Sequence, residues 1–154
     1  MASPEISLNL LEKIPPQSRE AETGVLGSML IEESAVARAL ELLKSFYFYE
    51  DVHQKIFTAT QSLFEKNQAV DLVTVTEELR KRKQLEEVGG ASYLTQLTAA
   101  VPTAVNVEHY AQIVKEKALL RRLTSTATQI LQESYEPESA VNVLVDRAEQ
   151  MIFD

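Results

Sequence analysis

The chain has 154 residues, enough for one domain with a hydrophobic core of its own, and it contains no cysteine, which excludes disulfides and thiolate metal sites. Its 23 acidic against 15 basic residues give a formal net charge of -8, which opposes the phosphates of nucleic acid rather than attracting them. The N-terminus has no basic flank followed by an apolar run, and no apolar stretch approaches the roughly 20 residues of a membrane span, so the expected location is the cytoplasm.

Four glycines and five prolines fall where punctuation would separate helices, and Ala, Leu, Glu, Lys, Gln and Arg supply much of the rest, which predicts an all-α chain. Met1 to Leu10 read as a loose start. Pro15-Pro16 stop any continuation, and a first helix runs from about Arg19 to Ile31 with Ala21, Val25, Leu26, Met29 and Leu30 on its apolar side. Gly24 and Gly27 inside it cost helix stability, and the close approach of another backbone is the reason expected for them. A second helix follows from Ser34 to Leu43. The aromatic run Phe46-Tyr47-Phe48-Tyr49 turns the chain into a third helix, Glu50 to Lys66, whose stripe of His53, Ile56, Phe57, Thr60, Leu63 and Phe64 must face a core.

Asn67-Gln68-Ala69 form a connector. Thr74 and Glu77 have the spacing of a capping box, which predicts a helix from Val75 to Arg82 anchored by Leu79. Gly89-Gly90 restart the chain, a short helix spans Ser92 to Ala99, and Pro102 ends the segment. From Asn106, a residue suited to an N-cap, a helical pattern without glycine or proline continues to about Ser134, roughly 40 Å long. Pro137 breaks it. A last helix from Glu138 to the end carries Val141, Leu144, Val145, Ala148, Met151 and Ile152 on one stripe, so the two form an antiparallel hairpin.

Wound at about 100° per residue, the long helix has two apolar faces. Val107, Tyr110, Ala111, Val114 and Ala118 gather on one, and Ile113, Leu120, Leu123, Ala127, Ile130 and Leu131 on nearly the opposite one. The last helix can cover only one of them, so the other needs the globular part or another chain. The hairpin is therefore read as an association surface, with Tyr110, Val114 and Ala118 on one face and Leu120, Leu123, Ala127 and Ile130 on the other for hairpin packing and dimer contact; the alternative is that both faces pack within the chain.

Catalytic signatures are missing. No G-x-x-x-x-G-K-[ST] phosphate cradle occurs, Gly89-Gly90 lack the spacing of a dinucleotide loop, and no G-x-S-x-G elbow is present. His53 and His109 form no H-E-x-x-H pair; His53 reads as a core histidine with one hydrogen-bond partner and His109 as exposed or a local cap contact. The pairs Glu32-Glu33, Glu77-Glu78 and Glu86-Glu87 point to different sides of their helices and read as solvated. Arg80-Lys81-Arg82-Lys83 and Arg121-Arg122 could begin phosphate contacts, but they lack adjacent stacking aromatics and read as a solvated helix end and face. No catalytic, cofactor-binding or metal-binding residue is expected.

Taken together, Pro15-Pro16, Glu20-Ala21-Glu22, Val25-Leu26-Gly27, Phe46-Tyr47 with His53 and Ile56-Phe57, Asp71-Leu72-Val73-Thr74-Val75, Gly89-Gly90-Ala91-Ser92-Tyr93-Leu94, Pro102-Thr103-Ala104-Val105-Asn106, Tyr110 to Lys117, Arg121, Ala148-Glu149 and Ile152-Phe153 resemble, in order and spacing, the N-terminal domain of DnaB-type replicative DNA helicases. The resemblance implies a flexible tail (1–14), a compact multi-helix globular head (15–103) and a long helical hairpin for dimerisation (104–154). It also implies that dimers build a hexameric collar on which primase docks during DNA replication in the bacterial cytoplasm, with a helicase loader as a further partner. ATP and magnesium would act in a motor domain absent from this chain, which reads as an excised, non-catalytic piece; DNA would be met mainly through that motor. Primase-contact residues are not assigned. The alternative is the helicase-interacting helical domain of a primase, which shares the architecture; a small enzyme using carboxylates is disfavoured because none converge in the sequence.

Overall fold

Two prolines and a serine set the first element. In a computed structural model, which describes residues 13–101 and 106–154, the Ser18 hydroxyl accepts the Ala21 N–H at 3.1 Å and opens helix α1, Arg19–Ile31. It is followed by α2, Glu33–Leu42, a single 3-10 turn at Ser45–Tyr47, α3, Asp51–Glu65, α4, Leu72–Lys81, α5, Gly90–Ala99, α6, Val107–Tyr135, and α7, Val141–Phe153. Among the described residues the chain is all-α, as expected, and no helix is long and apolar enough to cross a membrane. The loose start expected for Met1 to Leu10, the segment end expected at Pro102 and the boundary expected at 103/104 lie outside the described residues.

Three helix starts differ from the sequence reading by two residues or more. Helix α4 begins at Leu72 because Asp71, not Thr74, is its cap: the Asp71 carboxylate accepts the Thr74 N–H at 2.8 Å and the Thr74 hydroxyl accepts the Asp71 N–H at 2.9 Å, a reciprocal capping box displaced by three residues. Helix α5 begins at Gly90 rather than Ser92, and α7 at Val141 rather than Glu138, since Ala140 is still extended.

Two helix ends, those of α3 and α4, follow one recipe. After α3, Gln68 N–H reaches the Leu63 carbonyl and Asn67 N–H the Phe64 carbonyl; after α4, Gln84 N–H reaches Leu79 and Lys83 N–H reaches Arg80. These are Schellman closures, which place Asn67 (φ 58°) and Lys83 (φ 59°) in the left-handed region. Asparagine tolerates it; lysine does not gain from it. Lys83→Gly is expected to raise stability by about 0.5–1 kcal/mol, read as a higher urea midpoint at unchanged slope.

Helix α1 lies at the centre of the unit Gln17–Ala118 and packs against α2, α3, α4 and α5. Val25, Leu26 and Met29 from α1, Val36 and Ala39 from α2, Phe57 and Ile56 from α3, Leu79 from α4 and Leu94 from α5 form its core, with Phe48 of the aromatic turn fully buried 5.0 Å from Phe57. Gly27 answers the expected close approach: a Cβ there would collide with the backbone carbonyl of Leu97. Gly24 has a different reason, because a Cβ would lie 2.7 Å from the Tyr110 ring. Val107, Ala111 and Val114 of α6 belong to the same core. The described residues up to Pro16 and those from Leu119 onward form a second unit, in which the Arg121 guanidinium donates to the Pro16 carbonyl at 2.9 Å.

A polar knot sits inside the first unit. His53, fully buried, donates from Nδ1 to Glu22 Oε1 at 2.7 Å, and its Nε2 lies 2.6 Å from the Tyr93 hydroxyl, so the histidine has a partner on each ring nitrogen where the sequence suggested one. Glu22, also buried, accepts in addition the N–H groups of Tyr49 at 2.8 Å and Glu50 at 3.3 Å, and so ties α1 to the chain entering α3. Among the acidic pairs, Glu78 is the exception to the solvated reading: it is 8% exposed and accepts Arg82 Nε at 2.8 Å.

Burial raises the ionisation of the Tyr93 phenol above its usual range, Arg19 opposing and Glu50 adding to the shift. The unfolded chain then loses the phenol proton at about pH 10 while the folded chain still holds it. The stability contributed by Tyr93 is therefore complete below about pH 10 and is lost as pH rises through the raised folded value. The Tyr93→Phe variant should lose less stability than the parent between pH 9.5 and 11, measured by urea titration at each pH.

Candidate association surface

The seven residues singled out on the long helix separate into two groups. Val114 is 1% exposed and its place is in the core of the first unit; Tyr110 is half-buried against that core, its ring filling the space left by Gly24. Ala118 is half-buried. This face is thus largely consumed within the chain, which removes Val114 from any surface. Leu120 is 45% and Leu123 62% exposed, Ala127 is exposed, and Ile130 is half-buried. A helix fully wrapped by its own chain would hide these side chains.

Helix α7 sharpens the contrast. No residue from Leu119 to Asp154 is buried, although the segment is rich in Leu, Val and Ile. An ion pair between Arg147 and Glu133 at 3.5 Å joins the two helices of this unit, and Ile130, Pro137, Val141, Leu144, Val145 and Ile152 line an apolar groove along them. Outside the groove, Leu119, Leu131, Tyr135, Val143 and Phe153 are exposed as well, Phe153 at 87%. Contiguous apolar side chains on two neighbouring helices are a feature of surfaces that another macromolecule covers. The sequence named the stripe on the last helix but assigned its residues to packing within the hairpin. Periodicity says that a face is apolar, not which chain covers it.

The other sequence candidates are placed as follows. Arg80 pairs with Glu77 and Arg82 with Glu78, which makes half of the Arg80-to-Lys83 cluster internally compensated. His109 is exposed, its ring 5.9 Å from that of Tyr110. The expectation that no carboxylates converge needs correction: Glu22, Glu50 and His53 bring ligand-type atoms within 4.8 Å of one another. The sequence hid this because Glu22 lies 31 residues from His53.

The fold and this surface define the class as an all-α domain that exposes an apolar helical hairpin. Residues 14–116 match the model of the DnaB-like helicase N terminal domain, and the chain belongs to that family. The replicative DNA helicase DnaB of Geobacillus stearothermophilus is 51% identical over 143 residues, 93% of this chain and 32% of that protein, so the chain spans about a third of the length of this relative. The crystal structure of the N-terminal domain of DnaB helicase from Mycobacterium tuberculosis superposes with a TM-score of 0.88 at 43% identity, covering 92% of this chain and 99% of that one. A DnaB-like replicative helicase, whose structure was described with its interactions with primase, superposes with a TM-score of 0.72 at 29% identity over 88% of this chain and 31% of that one.

Proposed function

We propose that this domain is the assembly and docking module of a bacterial replicative DNA helicase: its hairpins pair two copies, the pairs close into a hexameric collar, and the collar presents surfaces to primase and to a helicase loader during DNA replication. The observation that carries this reading is the exposure of Leu120, Leu123, Val141, Val145 and Ile152 on a two-helix stretch, Leu119 to Asp154, in which no residue is buried. A surface of that kind, repeated on identical copies, favours closed symmetric association. The family membership supports the helicase over the primase alternative, since the matched relatives are helicases. Hydrolysis of ATP with magnesium, and the principal contacts to DNA, are assigned to a motor domain outside these residues; the net charge of -8 suits a module that meets proteins rather than phosphates. Cytoplasmic location follows from that role.

Light scattering of the isolated domain over a range of concentration tests the reading. The mass should rise from 17.3 kDa toward twice that value or a higher even multiple. A strict monomer at millimolar concentration would overturn self-association through the hairpin.

A further inference from the structure

Two carboxylates and one guanidinium gather around the buried His53 ring. Glu22 and Glu50 bring two formal negative charges to His53, and Arg19, which donates to Glu50 Oε1 at 2.8 Å, brings one positive charge. The second oxygen of Glu50 faces inward. Oε2 is the one buried side-chain polar atom among the described residues that lacks a hydrogen-bond donor. It lies 3.2 Å from His53 Nδ1, but that nitrogen carries at most one hydrogen, which points to Glu22 at 2.7 Å. A buried carboxylate oxygen without a donor is costly, and a cation between the two carboxylates and the imidazole would satisfy it.

We propose that Glu22, Glu50 and His53 Nδ1 form a binding site for a small divalent cation of the kind that accepts mixed nitrogen and oxygen ligands, such as zinc or manganese. One imidazole nitrogen and a carboxylate oxygen from each glutamate lie within 4.8 Å of one another, a spread that a cation bonding at about 2.0–2.2 Å to each can span. Tyr93 supplies the outer support. With the hydrogen of His53 moved from Nδ1 to Nε2, Nε2 donates to the Tyr93 oxygen 2.6 Å away, the tautomer that frees the Nδ1 lone pair for the metal. Arg19 does not compete for the inner oxygen, because it holds Oε1. The ligand set joins α1 to the entry of α3, so a bound ion would add a clamp between two elements that the apolar core and the hydrogen bonds of Glu22 already hold together.

The test uses the 154-residue chain stripped with chelator and titrated separately with zinc chloride and manganese chloride by calorimetry, together with the 15N spectrum of the histidine side chains on zinc addition. One equivalent should bind, the His53 Nδ1 resonance should move while those of His109 stay, and the thermal midpoint should rise with free metal. Glu50→Gln, which leaves the Glu22–His53 pair intact, should weaken binding at least about tenfold. The absence of saturable binding up to millimolar metal would overturn the proposal. So would binding that leaves His53 Nδ1 unmoved or that Glu50→Gln does not weaken, since the ion would then sit on exposed carboxylates such as Glu136 and Glu138. The spectrum of the unmodified chain decides the case even if the variant fails to fold.

Discussion

Leu123→Glu should leave the domain folded and monomeric. Leu123 is 62% exposed in the single chain, so a charge there meets water and costs the monomer no more than about 0.5 kcal/mol. In an assembled pair the same carboxylate would be buried against apolar side chains of a second hairpin, at a cost of about 2–4 kcal/mol. That corresponds to a loss of roughly 30- to 1000-fold in association. The measurement is light scattering at a concentration where the parent self-associates, with helix content followed by circular dichroism. The control is Val114→Glu, which places a charge at a position 1% exposed in the chain's own core and should abolish folding instead. An unchanged mass for a well-folded Leu123→Glu would remove this face from the interface.

The second large effect is expected at Glu22. Its carboxylate accepts from His53 Nδ1 and from the backbone N–H groups of Tyr49 and Glu50. Glu22→Ala leaves the buried His53 Nδ1 and two part-buried backbone donors without their acceptor and opens a small cavity beside α3, and should cost about 3–5 kcal/mol. A domain of this size is stable by about 5–15 kcal/mol, so the variant should unfold at a much lower urea concentration or fail to accumulate. A loss below about 1 kcal/mol would mean that water replaces the carboxylate without strain.

Much of the architecture was legible because it rests on local chemistry. The helix Arg19–Ile31 was legible, since Pro15-Pro16 bar continuation before it and the apolar spacing defines its length; its Ser18 cap was not read. The break at Pro137 follows from the same kind of signal. The misplaced start of α4 shows the limit: Thr74 was read as the residue that caps, whereas it is the residue three places inside that Asp71 caps, and both readings satisfy the spacing rule.

The helical class, the stop and start signals, the two apolar faces of the long helix and the absence of a nucleotide cradle were determined by the sequence alone, because each depends on residues within a turn or two of one another. Which face of that helix is used up inside the chain was decided only by tertiary structure: Val107, Ala111 and Val114 enter the core, and Leu120 and Leu123 do not. The knot of Glu22, Glu50, His53 and Tyr93 was decided there too. Its members come from α1, the entry of α3, α3 itself and α5, and side chains so far apart in the chain meet only when the helices pack, a distance over which no periodicity carries information.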